Sequence, residues 1–430
     1  MDATTYQDYV NILHEELVPA MGCTEPIAIA YAAAVARQTL GRPAQRMEVE
    51  ASGNIIKNVK SVFVPNTGGL RGIPAAAAAG MAAGDPALEL EVLSSIGEGE
   101  QAAIRQYLAD TPIAVKLADS PFIFDIAIRA WAGEDSALVR IVNYHTNIVR
   151  VERNGQVLKE VEAQAAAEEG LTDKSVLTVK GILEFAREAA LADVEDAVGR
   201  QVRYNTAIAQ EGLRGDYGAN IGKVLLATYG EDVKIRAKAM AAAGSDARMN
   251  GCGLPVVIVS GSGNQGLTAS LPVVEYAKEL GADWETTLRA VLVSDLITIH
   301  LKAEIGRLSA YCGAVSAGCG SGAGIAWLYG REKEPQALLK DVSHTIVNAL
   351  AVDSGIVCDG AKASCAAKIA SAVDAGLLGF YMYQNGQQFR GGDGIISKGV
   401  EETIRNIGLL ATQGMRETDR EILDIMTNRC

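Results

Sequence analysis

Apolar residues recur at helical spacing near the N-terminus of the chain. Tyr9, Leu13 and Leu17 lie four residues apart, which predicts an amphipathic helix that ends at Pro19. A second helix is expected to follow Thr24, a suitable N-cap residue. The stretch between these two helices, PAMGCTEP, is therefore a break in the helical pattern.

The pattern changes between residues 46 and 160 to short segments in which apolar and polar residues partly alternate. The strand-like segments are MEVEASG, VKSVFV, LELEVLSSI, PIAVKLA, FIFDIAIRAWA, ALVRIVNYHT and IVRVERNG. The last of them runs into an Asn154-Gly155 turn, and a helix is expected among them from Gln101 to Ala109. This region predicts an α+β domain with a mostly antiparallel sheet.

After about Val161 the chain returns to helical periodicity, with glycine-rich breaks between alanine-rich segments. The segments expected to be helical are Ser175 to Asp193, Val233 to Ala243, Leu271 to Leu280 and Trp284 to Gly306. The predicted fold class is α+β, with a small sheet domain over 46–160 and a larger, mostly helical domain over 161–430. Residues 1–45 are expected to pack on the helical domain.

Composition excludes several classes of partner. The net charge of −13 and the pI near 5.0 argue against nucleic acid or an anionic membrane surface, because both require basic patches. No apolar run approaches the ~18 residues that a membrane span needs, and MDATTYQDYV lacks the features of a secretory signal. We therefore expect a cytoplasmic protein, in which thiols stay reduced and seven cysteines favour metal binding or catalysis over disulfides.

The cysteines cluster in glycine-rich segments of the helical region. YCGAVSAGCGSGAG contains Cys312 and Cys319, and GIVCDGAKASC contains Cys358 and Cys365. No spacing is of the CxxC type, so spacing alone leaves a structural role as open as a functional one. Neighbouring glycines let a cofactor approach the backbone, and thiolates prefer soft metals and iron–sulfur clusters. Three cysteines in two loops could hold three irons of a [4Fe–4S] cluster and leave the fourth iron open as a Lewis acid.

Four segments together carry a resemblance to a known family. HEELVPAMGCTEPIA, SGSGNQGLTASLP, YCGAVSAGCGSGAG and GIVCDGAKASC resemble the bacterial and archaeal L-cysteine desulfidases, over nearly the whole chain and in the same order. That family is related to the α part of the iron–sulfur L-serine dehydratases. The resemblance implies that Cys312, Cys358 and Cys365 hold a [4Fe–4S] cluster. The second cluster segment is shorter than in the dehydratases, and the first lacks their acidic residue.

The remaining cysteines have other expected roles. In some relatives a C-terminal cysteine caps the open iron, which makes Cys430 a candidate fourth ligand, with a loose tail as the alternative. Cys319 corresponds to a cysteine that is not a ligand in the relatives, and we expect it in the core or behind the ligands. Cys252 is expected to be a small buried hydrophobe.

Cys23 lies in the PAMGCTEP break, where it is expected at the N-terminus of a helix. The helix dipole and free backbone N–H groups there would lower the thiol pKa and favour a general base. The resemblance likewise implies that this cysteine is the proton acceptor. The alternative is a small residue that a tight turn beside Gly22 requires.

The substrate carboxylate needs hydrogen-bond donors. SGSGNQGLTASLP is a glycine-rich loop entering a helix, and such N-termini bind anions. A plain strand-to-helix turn is the alternative. The candidate substrate-binding residues are Ser262, Asn264, Gln265, Gly266, Thr24, Asn66 and Arg71, the last two in PNTGGLRG, where an exposed turn is equally consistent with the sequence.

The resulting hypothesis is β-elimination of L-cysteine to sulfide, ammonia and pyruvate, with the cluster as Lewis acid and Cys23 as base. An iron–sulfur L-serine dehydratase is the first alternative. A pyridoxal-phosphate-dependent dehydratase is another, although no lysine has the sequence context of its Schiff base. A non-catalytic amino-acid-binding regulatory protein, whose cysteines only pack, is the last. We expect a small amino-acid substrate, no nucleic acid and no membrane; a homodimer is one option for the assembly.

Overall fold

The computed structural model describes residues 1–164 and 171–427, and its α+β architecture confirms the predicted fold class. The helices are α1 (Ala3–Glu16), α2 (Thr24–Leu40), α3 (Gly53–Val59), α4 (Gly72–Ala83), α5 (Glu98–Asp110), α6 (Val179–Glu188), α7 (Leu191–Arg214), α8 (Ile221–Tyr229), α9 (Val233–Met249), α10 (Gly263–Glu279), α11 (Trp284–Ile305), α12 (Gly313–Gly330), α13 (Pro335–Val352), α14 (Cys365–Gln384), α15 (Val400–Leu409) and α16 (Arg416–Thr427). The strands are β1 (Pro19–Met21), β2 (Arg46–Ala51), β3 (Ile113–Leu117), β4 (Asp125–Ala132), β5 (Asp135–Val142), β6 (Ile148–Arg153), β7 (Gln156–Glu160) and β8 (Pro255–Val257).

Six strands form one sheet in the order β3-β2-β4-β5-β6-β7. The β2–β3 pair is parallel and the other four pairs are antiparallel, so the sheet is mostly antiparallel, as predicted. Asn154 and Gly155 both have positive φ angles and form the two-residue turn between β6 and β7. Such a turn matches the right-handed twist of the strands it joins.

The helices after residue 171 pack closely because glycine and alanine line their contacts. A Cβ on Gly318 of α12 would clash with the carbonyl of Ala372 in α14, and Gly376 meets Gly318 in the same way. Side chains larger than hydrogen would push these two helices apart, so the glycines fix their separation. This rigid bundle carries the cysteines of α12 and α14 and the segments before them.

The N-terminal helices contact both parts of the chain. α1 packs on α7, whereas α2 packs mainly on α4 and on β4 and β5 of the sheet. The buried hydrophobic residues form one main cluster that extends through sheet and bundle. The proposed division into 1–45, 46–160 and 161–430 stays a prediction.

Two predicted strands are wrong. Leu88 to Ile96 is a 3-10 helix (Pro86–Glu91) followed by turns, because Pro86 starts a helical turn that the Asp85 carboxylate caps at the Ala87 N–H. VKSVFV is the end of α3 and a turn, and its apolar positions point inward without a strand partner other than one isolated bridge. The predicted helix from Ser175 to Asp193 is two helices with a break at Ala189 and Ala190.

One helix, α14, is long and apolar enough to span a membrane. Just over half of its most apolar stretch is buried in the protein, where α14 packs between α9, α12 and α13. This burial is typical of a core helix in a soluble protein.

Candidate functional site

The segment with Cys23 is held against the glycine-rich loop before α10 by a small second sheet. β1 pairs antiparallel with β8, so Met21 lies opposite Pro255 and Pro19 opposite Val257. The chain then turns at Gly22, whose φ of 52° suits glycine, and enters α2. Two segments more than 200 residues apart in sequence thereby meet at one place.

Cys23, and not Thr24, is the N-cap residue of α2. Its thiol makes no capping hydrogen bond to the helix and instead donates to Glu25 Oε2 at 3.2 Å. The Thr24 hydroxyl donates to the Gly261 carbonyl at 2.9 Å and also lies 3.2 Å from Glu25 Oε2. Asn58 of α3 donates to Glu25 Oε1 at 3.0 Å. The buried Glu25 carboxylate therefore orients Cys23.

The predicted lowering of the Cys23 pKa is wrong. Burial, the negative charge of Glu25 and the hydrogen bond to it raise the pKa of Cys23 well above its usual value, and Arg248 only partly offsets them. Burial also acts to raise the pKa of Glu25. His145, the hydrogen bond from Cys23 and Arg248 outweigh that effect and hold the Glu25 pKa below its usual value. The resting pair is a protonated thiol beside a carboxylate.

Cys312 and Cys358 lie side by side because their segments form an antiparallel bridge between Tyr311 and Val357. The Cys312 N–H donates to the Ile356 carbonyl at 2.9 Å, and the Cys358 N–H donates to the Ala310 carbonyl at 2.6 Å. The two thiols share a hydrogen bond, which raises the pKa of Cys312 and lowers the pKa of Cys358.

Cys365 is the first residue of α14 and completes the group. Its Sγ faces the Gly360 carbonyl at 3.8 Å, and it interacts electrostatically with Cys312 and Cys358. Cys23 in turn interacts with Cys365. The structure thus brings together the three cysteines predicted as cluster ligands and the cysteine predicted as base.

Lysine side chains lie around the cysteine group. Lys57 and Lys368 act on Cys358 to lower its pKa, and Lys368 also donates to the Val357 carbonyl at 2.7 Å. Lys302 is buried, which lowers its pKa to about 8, although Cys358 and Cys312 oppose this shift. Cationic side chains of this kind stabilise a group of thiolates.

The donor set fits an iron–sulfur cluster better than a single ion. Among residues 1–164 and 171–427, no three Cys, His, Asp or Glu side chains lie close enough to hold one metal ion. Each thiolate of a cluster binds a different iron, so cluster ligands stand further apart than the ligands of one ion. Three converging thiols with lysines around them match such a cluster in chemistry and charge.

The glycine-rich loop reaches the same region. Ser260 and Gly261 have φ angles of 47° and 80° and form a tight turn closed by two hydrogen bonds between Val259 and Ser262. Ser262 is the N-cap residue of α10 but makes no side-chain cap, so the first N–H groups of this helix have no capping side chain.

The other predicted residues of this loop differ in environment. Gln265 is buried, with its side-chain Cδ 2.7 Å from where a Cβ on Gly313 would stand, beside Cys312. Asn264 accepts from Ser245 at 3.1 Å and contacts the Met249 sulfur. A Cβ on Gly266 would clash with the Val257 carbonyl, which gives this glycine a packing role.

Other predicted residues lie elsewhere. Asn66 donates to the Leu93 carbonyl at 3.0 Å, and the exposed Arg71 stacks on the Phe63 ring at 3.8 Å. No described contact joins either residue to Cys23. Cys319 and Cys252 are buried, as expected. Cys430 lies outside the described residues.

Sequence reasoning missed several buried residues of the site, among them His145 and Arg248. Burial lowers the His145 pKa to about 4, with Glu25 opposing the shift, and its Nε2 has no partner. Arg248 affects the pKa values of Cys23 and Glu25. A signal existed for Arg248, because AMAAAGSDARMNG places two charged residues in a stretch of small residues with the character of a buried helix.

Known proteins resemble this chain over most of its length. The family model for the serine dehydratase alpha chain matches residues 87–424. The chain belongs to the serine dehydratase alpha chain family. A UPF0597 protein of Desulfitobacterium hafniense is 59% identical over 425 residues, which cover 99% of this chain and 97% of the relative. UPF0597 proteins of Lachnoclostridium phytofermentans (51% identity, 98% and 100% coverage) and Treponema denticola (45%, 99% and 99%) are similar over their whole lengths. The serine dehydratase alpha chain family is of the ammonia-lyase type and is generally associated with iron–sulfur clusters.

Proposed function

We propose that this chain is an L-cysteine desulfidase that converts L-cysteine and water to sulfide, ammonia and pyruvate in the cytoplasm. One observation carries the proposal: Cys312, Cys358 and Cys365, from two separate segments, interact with one another, and Cys23 interacts electrostatically with Cys365. Membership of a family of the ammonia-lyase type supports the reaction class. The desulfidase-like segments GCTEP and SGSGNQG favour cysteine as the substrate.

Cys312, Cys358 and Cys365 would hold a [4Fe–4S] cluster. When bound, such a cluster supplies a Lewis-acidic iron for the leaving group of the substrate. The chain's own contribution is to hold three thiolates at one place and to surround them with Lys57, Lys302 and Lys368. Cys430 stays a candidate fourth ligand.

Cys23 would remove the proton from the substrate Cα. The electrons of the Cα–H bond form the Cα=Cβ bond, the Cβ–S bond breaks, and sulfur leaves as sulfide. The aminoacrylate that remains takes up water and gives pyruvate and ammonia. Because Cys23 rests as a thiol, it must first lose its proton, and Glu25 Oε2 at 3.2 Å is the acceptor in contact with it.

The alternative substrate is L-serine, with water in place of sulfide as the leaving group, so that the net products are pyruvate and ammonia. The family model favours this alternative, because it describes a serine dehydratase alpha chain. The same group of residues would then act on a substrate with a β-hydroxyl. The two substrates differ in the leaving atom but present the same carboxylate, amine and Cα proton.

The test is anaerobic reconstitution of the protein with iron and sulfide, followed by parallel assays of L-cysteine and L-serine. Sulfide left from the reconstitution is removed before the assay, so that sulfide released from L-cysteine can be measured together with pyruvate. We expect iron-dependent pyruvate from L-cysteine, with sulfide in equal amount. Iron-dependent pyruvate from L-serine and none from L-cysteine would support the dehydratase alternative.

Cys23→Ala is the decisive variant. It should keep its iron and acid-labile sulfide but lose turnover, whereas a Cys23→Ala protein with normal iron and normal turnover would refute the role of Cys23. Absence of iron and sulfide after reconstitution, with activity that requires pyridoxal phosphate, would favour the pyridoxal enzyme instead. No turnover with any cofactor would favour a non-catalytic binding protein.

A further inference from the structure

Arg248 is a buried cation without an anionic partner. It lies in the last turn of α9 with only 2% of its surface exposed. Its one described hydrogen bond joins Nη1 to the Met249 sulfur at 3.3 Å, and its Nε has no partner. Within the described part of the chain, no carboxylate lies within ion-pair distance of it.

Such an arrangement is costly for the protein alone. An arginine side chain stays charged under all ordinary conditions, so it cannot escape burial by losing its proton. A buried charge normally has a partner of opposite sign, because removing a charge from water is expensive. Glu25 is the carboxylate that feels Arg248, but both Glu25 oxygens already accept hydrogen bonds from Cys23 and Asn58.

The guanidinium lies against the start of α10. A Cβ on Gly263, the first residue of this helix, would clash with Arg248 Nε, so only glycine permits the approach. The helix has no capping side chain at Ser262, and its first N–H groups point toward the same end. An arginine fork and a helix N-terminus both bind carboxylates well.

Gln265, in the same first turn, shows which way a ligand would extend. Its Oε1 is buried without a hydrogen-bond partner, and its amide lies beside Gly313, next to Cys312. One helical turn rises about 5.4 Å, which is comparable to the length of a three-carbon amino acid. A carboxylate at Arg248 would direct the β-substituent toward the cysteine group.

We propose that Arg248 binds the α-carboxylate of the amino-acid substrate, together with the N-terminal N–H groups of α10. The assignment rests on the proposed function for the identity of the ligand. The competing role is structural, in which the cation only stabilises the C-terminal end of α9 through the helix dipole.

The test uses L-alanine, which has the carboxylate and amine but no leaving group, and L-alaninamide, which lacks the carboxylate. Binding of each is measured by calorimetry on the anaerobically reconstituted protein. The wild-type protein should bind L-alanine and not L-alaninamide. Arg248→Gln should weaken L-alanine binding by about 100-fold, the effect expected for loss of a buried charged partner.

Arg248→Lys keeps the charge but loses the two-pronged guanidinium. Its affinity for L-alanine should lie between those of the wild type and Arg248→Gln. Arg37→Gln is the matched control, since Arg37 also lies in the last turn of a helix but donates to the Met81 and Gly84 carbonyls. It should bind L-alanine as the wild type does.

Thermal melting separates the two roles of Arg248. If Arg248 serves to bind a substrate carboxylate, Arg248→Gln without ligand should melt at the wild-type temperature or above it. L-alanine should then no longer raise the melting temperature of this variant. A structural role predicts a lower melting temperature in the absence of ligand.

Three results would overturn the proposal: L-alanine binding by Arg248→Gln within twofold of wild type, equal binding of L-alanine and L-alaninamide by the wild type, or no binding of L-alanine. If the elimination reaction is wrong but Arg248 binds carboxylates, the Arg248-dependent L-alanine affinity persists while no substrate is turned over. If the reaction is right and Arg248 is not involved, Arg248→Gln turns over L-cysteine with an unchanged KM.

Discussion

His145 should make the stability of the protein depend on pH, and replacing it with asparagine should remove that dependence. The ring is 5% exposed and packs edge-on to Phe124 with centroids 4.8 Å apart. Burial lowers its pKa from 6.5 to about 4 in the folded protein, where Glu25 and Glu16 favour the charged form and Arg307 and Arg248 oppose it.

The sign follows from proton binding. Between pH 6.5 and 4 the unfolded chain protonates this histidine and the folded protein does not, so acid stabilises the unfolded state. The contribution of His145 to the free energy of unfolding should fall by about 2 kcal/mol between pH 8 and pH 5, and by about 3 kcal/mol below pH 4. Asp246 acts in the opposite direction, because burial raises its pKa to about 6.

The assay is therefore a comparison of variants and not of one pH profile. Urea unfolding followed by tryptophan fluorescence at pH 8 and pH 5 gives the free energy for wild type and His145→Asn. The difference between them should shrink by about 2 kcal/mol at pH 5, since only the wild type loses the contribution of the neutral ring. The exposed His14→Asn is a control of the same residue type. A His145→Asn difference that stays constant from pH 8 to pH 5 would refute the reasoning.

Three further predictions concern the site. Glu25→Gln should lower the pKa of Cys23, because the carboxylate charge and its hydrogen bond both raise that pKa. Thiolate absorbance is titrated with and without Cys23→Ser, and the difference reports Cys23; in the Glu25→Gln background it should show ionisation at lower pH than in the wild-type background. An unchanged midpoint would contradict the assignment. Cys312→Ser should reduce bound iron and acid-labile sulfide after reconstitution, whereas Cys319→Ser, in the same helix region but facing the Ile346 carbonyl, should retain both; equal metal content in the two would count against the ligand set. Gly266→Ala should destabilise the protein by about 1–3 kcal/mol, because the added methyl meets a carbonyl of β8; an unchanged urea midpoint would show that α10 can move away.

The sequence predicted the elements whose hydrophobic pattern is long and regular. α5 and α11 lie within a few residues of their expected bounds, α1 ends before Pro19 and α2 begins at Thr24, because the apolar positions and end signals of these helices agree. The failures occur where the pattern is short. In Leu88 to Ile96 a few alternating residues looked like a strand, but the preceding proline and aspartate start a helical turn.

The second sheet shows a different limit. β1 and β8 have three residues each, too few for periodicity to detect, and each depends on the other for its hydrogen bonds. Yet this pair brings Cys23 to the loop at Gly261. The sequence of each segment gives no indication that the two strands pair.

The site divides along the same line. Its cysteines could be proposed from the sequence because the chemistry of a thiol follows from the residue type. The Cys23 pKa was mispredicted because helix position is a local property, whereas burial and the charge of Glu25 arise only on folding. Arg248 belongs to the second kind: its importance comes from the absence of a partner.

The charges around Cys23 suggest how substrate binding and proton transfer are linked. Without ligand, Glu25 raises the Cys23 pKa and Arg248 opposes it, so the thiol stays protonated and unreactive. A zwitterionic amino acid would bring a carboxylate to Arg248 and an ammonium group into the same buried space. Its ammonium would favour a thiolate at Cys23, while its carboxylate would satisfy the arginine. The thiolate would then form where a substrate proton is present to be removed, and a buried cysteine beside a carboxylate would be protected from oxidation between turnovers.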